Sequence, residues 1–65
     1  TIVTIEGGNR LFIENYKGII SYSDTQIVIQ GKLTKILIEG SKLQIEYYTN
    51  LDMKVKGVIT LVKYF

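Results

Sequence analysis

The stretch QIVIQGKLTKILIEGSKLQIEYY, residues 26–48, decides the fold class because it contains three β-rich runs separated by two glycine turns. Its first run, residues 26–30, carries Ile, Val and Ile without interruption, which is typical of a strand with both faces covered. Gly31-Lys32 predicts a two-residue type II′ hairpin turn. Gly40-Ser41 predicts a second tight hairpin. No run in this stretch shows the 3.6-residue period of a helix.

Residues 42–48 have the cleanest alternation in the chain, with Leu43, Ile45 and Tyr47 on one face and polar residues on the other. Alternation over this length predicts a strand with one buried face. Tyr47 is therefore expected at a core position.

The last run, residues 53–65, contains Gly57. A glycine inside a strand usually marks a bulge or a bend. Val55 and Ile59 occupy odd positions, whereas Val62 and Tyr64 occupy even positions. The apolar face of the strand therefore changes after Gly57. The pattern predicts a bend that divides one long segment into two arms, with Tyr64 at a core position.

Three shorter β-rich runs precede residue 26, at residues 1–5, 10–14 and 18–22. The Gly7-Gly8-Asn9 and Ser23-Asp24-Thr25 triplets are typical turn sequences. Residues 15–18 lie between these triplets, and Asn15 at the first position and Gly18 at the fourth fit a type I turn. They are therefore predicted to form a bulged hairpin with positive φ at Gly18.

These runs predict one all-β domain over residues 1–65, with seven or eight short antiparallel strands in a compact sandwich or roll. A chain of 65 residues is near the lower limit for a stable single core, and it has no cysteine to form disulfides. Dense apolar packing or self-association must therefore hold it together. Because it starts at Thr1 inside a strand, we expect a fragment of a slightly longer protein.

The charge pattern indicates solubility rather than nucleic-acid binding. Eight Lys and Arg stand against six Asp and Glu, a net charge of +2, and they are interspersed. A nucleic-acid-binding domain would show a basic stripe. No apolar run approaches the length of a membrane span, and no signal-peptide pattern is present, so direct membrane insertion is not expected.

The residue types for catalysis are sparse, and neither an enzyme nor a cofactor is expected. With no His and no Cys, a metal site is not predicted. Acid–base chemistry would fall to six carboxylates: Glu6, Glu14, Asp24, Glu39, Glu46 and Asp52. Glu14 and Lys17 are the one compact acid–base pair near a glycine turn, and we interpret them as an exposed ion pair beside a hairpin.

A small β-barrel that binds nucleic acid or a ligand, similar to an OB fold, is the alternative. Its stacking residues would be the tyrosines Tyr16, Tyr22, Tyr47, Tyr48 and Tyr64. Its phosphate contacts would be Lys17, Lys32, Lys35, Lys42, Lys54 and Lys56. Acidic neighbours beside each basic segment disfavour this alternative.

Self-association is the stronger binding hypothesis. Phe12, Val28 and Leu37 lie on the face opposite the main apolar columns, so a single-layer sheet would leave them in water. A two-layer sandwich within the chain could bury them, and so could a homodimer or homo-oligomer that packs this face on its copy. The chain also has no proline, which removes one common guard against pairing at sheet edges.

The segment FIENYKGIISYSD, residues 12–24, resembles the signature of the YabP/YqfC family of bacterial sporulation proteins. The family pattern Ile-Glu-Asn-His-Lys/Arg-Gly-Ile is matched by residues 13–19 except at Tyr16, where the family has His. Later parts of the pattern, Gly-x-x-Leu-x-Ile and Ile-x-Gly-x-Ile, correspond to residues 40–45 and 55–59. The likeness is closer to the YqfC branch.

The resemblance implies a non-enzymatic protein of endospore formation in Firmicutes that works through protein contacts. It implies a sporulation membrane protein or a coat protein as partner. It also implies a cytoplasmic location in the sporulating cell, with any association with the forespore membrane or spore coat made through that partner. The turn of residues 14–18 (Glu14, Asn15, Tyr16, Lys17 and Gly18) identifies the family without being an active site.

Overall fold

The structure, a computed structural model that describes residues 1–65, is one antiparallel sheet of six strands in the order β1-β2-β6-β5-β4-β3. The strands are β1 Ile2–Glu6, β2 Arg10–Glu14, β3 Gly18–Tyr22, β4 Gln26–Gln30, β5 Lys35–Tyr48 and β6 Asp52–Tyr64. The predicted all-β class is confirmed. The number of strands is six rather than seven or eight, because β5 and β6 are 14 and 13 residues long.

Gly40 lies inside β5, so the predicted hairpin at Gly40-Ser41 is wrong. The register with β6 shifts between Glu39 and Gly40 and again after Ser41, and the strand bulges and continues. A Cβ on Gly40 would lie 1.8 Å from the carbonyl oxygen of Val58. Glycine is required here because the β6 backbone approaches closely, not because the chain reverses.

Gly57 confirms the predicted bend in the last strand. Its φ is 137°, in the region that favours glycine, and a Cβ there would lie 2.6 Å from a carbonyl oxygen of β5. Val55 pairs with Ile45 before the bend, and Val62 pairs with Ile38 after it. Side chains of opposite parity thus reach the same core, as predicted.

The bend folds the single sheet into a roll with two arms. One arm carries β1 and β2 beside the first half of β6, and the other carries β3 and β4 beside the first half of β5. Side chains from both arms form one core: Leu11, Ile13, Tyr16, Ile27, Ile29, Ile36, Ile38, Leu43, Met53 and Val55. Burial of each large aliphatic side chain contributes about 1.5–3 kcal/mol, so this core holds the two arms together.

The connection between β2 and β3 is not a hairpin, and that prediction is wrong. β2 lies within one arm, whereas β3 is the edge strand of the other arm. The residue with positive φ is Asn15, at 64°, and not Gly18. The local sequence favours a turn, but the pairing of the flanking strands is decided by their distant apolar partners. We call residues 14–18 the crossover segment.

The remaining connections are hairpins. The predicted turns at Gly7-Gly8-Asn9 and Ser23-Asp24-Thr25 are confirmed, with a φ of 64° at Gly7. The Ser23 hydroxyl accepts backbone N–H groups of its own turn. The turn predicted at Gly31-Lys32 is longer, because Gly31 donates its N–H to the carbonyl oxygen of Thr34 at 2.8 Å.

Tyr47 and Tyr64, both predicted at core positions, are 49% and 56% exposed. A register shift between Ile45 and Tyr47 turns Tyr47 to the outer face, opposite Lys54. Tyr64 pairs with the buried Ile36 but occupies the last position of β6, at the rim of the core. The core therefore ends short of both tyrosines.

Candidate functional site

The crossover segment is hydrogen-bonded to both arms of the roll. Asn15 donates its N–H to the carbonyl oxygen of Leu51 at 2.7 Å, and Lys17 donates its N–H to that of Gln30 at 2.7 Å. Leu51 belongs to the β5–β6 connection, and Gln30 ends β4. The segment therefore ties the end of one arm to the end of the other.

Tyr16 is the buried residue of the crossover segment and belongs to the core. Its hydroxyl donates a hydrogen bond to the carbonyl oxygen of Thr49. Burial raises the pKa of the Tyr16 phenol, and the neighbouring Tyr48 and Asp52 raise it further. Tyr16 thus stays neutral at physiological pH and acts as a packing residue and hydrogen-bond donor.

The ion pair predicted between Glu14 and Lys17 does not form. The two ion pairs of the molecule lie elsewhere, on the β1–β2 hairpin and between β5 and β6. Glu14 ends β2 opposite Asp52, whereas Lys17 is exposed just before β3. The charges that make this segment resemble a catalytic motif are therefore not brought together.

The six candidate carboxylates are distributed over the two arms. Glu6, Glu14 and Asp52 border a groove of about 240 Å³ on the outer face, together with Phe12 and Tyr47. No set of three Asp, Glu, His or Cys side chains is arranged to hold a metal ion. The structure contains no helix that is long and apolar enough to cross a membrane.

The tyrosines are divided among several surfaces. Tyr16 and Tyr48 line a cleft of about 310 Å³ beside the crossover segment. Tyr47 lies on the outer face, and Tyr22 and Tyr64 lie at the ends of β3 and β6. A chain of bases would have to pass over more than one surface to stack on all of them.

The predicted interaction residues Phe12, Val28 and Leu37 are half-buried and alternate with core positions on their strands. Val28 and Leu37 are cross-strand partners. Phe12 belongs to the other arm, where the Lys54 ammonium lies 5.2 Å from the centre of its ring. The structure thus brings two of the three together and places the third in a separate patch.

The exposed edge strand β3 is the surface that sequence reasoning missed. Four of its five residues are exposed, among them Ile19, Ile20 and Tyr22. The segment GIISY has neither charge nor proline, which is the signal that could have revealed an unguarded edge. Its position at the edge follows only from the order of strands.

Comparison with known protein families gives a match over residues 1–65, the whole chain, to the model of the YabP family. The chain therefore belongs to the YabP family, and the resemblance predicted from residues 12–24 is confirmed at this level. Membership suggests a sporulation-related role. A comparison with curated proteins finds no match.

Proposed function

We propose that this YabP-family protein contributes to endospore formation without catalysing a reaction, by assembling with itself or with a membrane or coat protein of the sporulating cell. The observation that carries this proposal is the distribution of apolar side chains. Thirteen large hydrophobic residues are exposed, against ten in the core. Single exposed apolar residues are ordinary, but residues grouped on one strand, as Ile19, Ile20 and Tyr22 are on β3, are typical of a protein-binding surface.

Five of the exposed apolar residues lie on the two free edge strands: Ile2 and Ile5 on β1, and Ile19, Ile20 and Tyr22 on β3. β1 and β3 end the sheet, and each pairs with one neighbour only. The unpaired backbone groups of such edges can bind a further strand. Edges and apolar side chains together favour protein partners over small substrates.

The patch of Val28 and Leu37 is another candidate contact surface. Both side chains are half-buried, and Leu37 lies opposite Lys63 on β6. A partner that covers this patch would bury the aliphatic pair and leave the lysine at its rim, the usual arrangement of an interface core. We place Phe12, on the other arm, in a separate contact.

The finer assignment follows the sequence resemblance. We propose that the protein belongs with the YqfC branch and works in the cytoplasm of the sporulating cell. Contact with the forespore membrane or the spore coat is then made through its partner.

The role is tested in an endospore-forming bacterium that carries this gene. Deletion is expected to lower the count of heat-resistant spores, and the wild-type gene is expected to restore it. Leu37→Lys, which puts a charge in the outer patch, should fail to restore the count although the protein folds. Gln44→Lys, an exposed position of the same strand, is the matched control and should restore it.

Three outcomes would count against the proposal. Normal spore counts after deletion would remove the sporulation role. Loss of spores with Glu14→Gln or Asp52→Asn, while binding partners are retained, would indicate an enzyme. Salt-dependent binding of single-stranded nucleic acid by the purified protein would instead support the barrel alternative.

A further inference from the structure

β3 is an open edge that lacks charged residues and proline, two of the usual guards of an edge strand. It pairs only with β4, so its backbone groups on the other side face no strand. Natural proteins protect such edges with charged residues or proline, but Gly18–Tyr22 contains neither. The edge is thus free to add a strand.

A bulge in β3 sets which side chains share a face. The register with β4 shifts between Ile19 and Ser21, so Ile19 lies opposite Ile29 and Tyr22 lies opposite Ile27. Both partners are buried core residues. Ile19 and Tyr22 therefore lie on the same, core-facing side of the sheet although they are three positions apart, and they are 37% and 52% exposed.

We propose that β3 is a homodimer interface, in which two copies of this chain pair their β3 strands antiparallel about a two-fold axis. The inference rests on the proposed function and names one of its contacts. Residues that face each other across an antiparallel pair lie on the same side of the sheet. Ile19 and Tyr22 meet this condition because of the bulge, so Ile19 of each copy packs against Tyr22 of the other.

The charges at the ends of the edge fit the same register. Lys17 directly precedes β3 and Asp24 lies in the turn that follows it. With Ile19 opposite Tyr22, the end of β3 that carries Lys17 in one copy lies beside the turn that carries Asp24 in the other, and the two-fold axis produces this arrangement twice. Both residues are exposed, and neither takes part in an ion pair within the chain. Opposite charges at the rim of an apolar contact favour this register over a shifted one.

The pairing joins two sheets of six strands into one continuous sheet. The contact is made by two strands of five residues, which is smaller than a standard interface of about 1,600 Å². We therefore expect a dimer that dissociates on dilution rather than a permanent one.

The experiment is sedimentation of the 65-residue chain over a concentration series. The wild type should pass from monomer to dimer. Ile19→Lys should remain monomeric at concentrations where the wild type is dimeric, with its circular dichroism spectrum unchanged. A wild type that stays monomeric at the highest concentration would overturn the inference.

Charge reversal tests the register. Lys17→Glu and Asp24→Lys should each raise the dimer dissociation constant about tenfold at low salt, because each creates two like-charge contacts. The double variant should recover the wild-type constant. Lys32→Glu, an exposed lysine outside the edge, is the control and should leave the constant unchanged.

The outcomes separate this inference from the proposed function. A dimer that survives Ile19→Lys and both single reversals uses another surface, which would overturn the β3 interface. If the spore defect of the deletion persists in that case, the proposed function stands without it. A double variant that dimerises as weakly as the single ones would overturn the register.

Discussion

The crossover segment, residues 14–18, and strand β3, residues 18–22, share Gly18 but otherwise have opposite environments. The crossover segment is bonded to both arms and buries Tyr16. β3 has one partner strand and four exposed residues. The crossover segment has the charges of a functional motif, but its role is to connect the two arms. β3 has the composition of an ordinary strand, but it provides the exposed surface.

The difference has a physical cause. A chain that leaves one arm and enters the other cannot pair with its neighbours in a ladder, so its backbone groups need individual partners. The carbonyl oxygens of Leu51 and Gln30 are the partners of the Asn15 and Lys17 N–H groups, and Asn15 takes up the left-handed conformation between the two arms. An edge strand needs only one ladder, and its other side stays available.

Tyr16→Ala should give the largest effect. Deleting a buried aromatic side chain costs about 3–5 kcal/mol, and a domain of this size has roughly 3–10 kcal/mol of total stability. We expect a large fall in the urea midpoint or complete unfolding. Tyr22→Ala, in half-exposed β3, is the matched control; it removes a hydrogen bond that the Tyr22 hydroxyl accepts from the Ile45 N–H and should cost about 1–2 kcal/mol at a protein concentration where the chain is monomeric. Equal losses would contradict the contrast between the two segments.

Asn15→Ala should cost about 1–2 kcal/mol, because alanine disfavours the left-handed conformation seen at a φ of 64°. Asn15→Gly should be tolerated. Gly18→Ala is the control at the other end of the segment, where a Cβ would meet open space and φ is not positive, and it should leave stability within about 0.5 kcal/mol. Thermal unfolding measures all three. A larger loss of stability in Gly18→Ala than in Asn15→Ala would indicate that the residue with positive φ is Gly18, as the sequence predicted.

Tyr16→Phe removes the hydrogen bond to Thr49 and should cost about 0.5–1.5 kcal/mol near neutral pH. The folded-state pKa of Tyr16 is raised above its usual 10.0. The folded protein therefore holds this proton more tightly than the unfolded chain, and the resulting stability, fully present below pH 10, is lost as pH rises above it. The loss should be smaller in Tyr16→Phe than in Tyr22→Phe. Denaturation at several alkaline pH values checks this, and identical pH profiles would show that Tyr16 ionises freely.

Sequence reasoning could find elements but not all of their partners. The turns at residues 7–9 and 23–25 and the bend at Gly57 were predictable, because each is set by residues close in sequence. Gly40 was misread because a glycine that turns a chain and one that admits a neighbouring backbone are alike in sequence. The β2–β3 connection was misread, and the β3 edge missed, because strand order depends on contacts between distant apolar residues.

Replacing Glu14 and Lys17 should have the smallest effect on stability and sharpens the comparison most. The two side chains form no ion pair, so each alanine substitution should change the unfolding free energy by at most about 0.5 kcal/mol. In a double-mutant cycle with urea unfolding their coupling should be near zero. Lys17→Ala should nevertheless weaken the dimer, whereas Glu14→Ala should not. The Lys17 backbone would then contribute to the crossover segment through its hydrogen bond to Gln30, and the Lys17 side chain would contribute to the β3 interface. The boundary between the two regions would thus fall within a single residue.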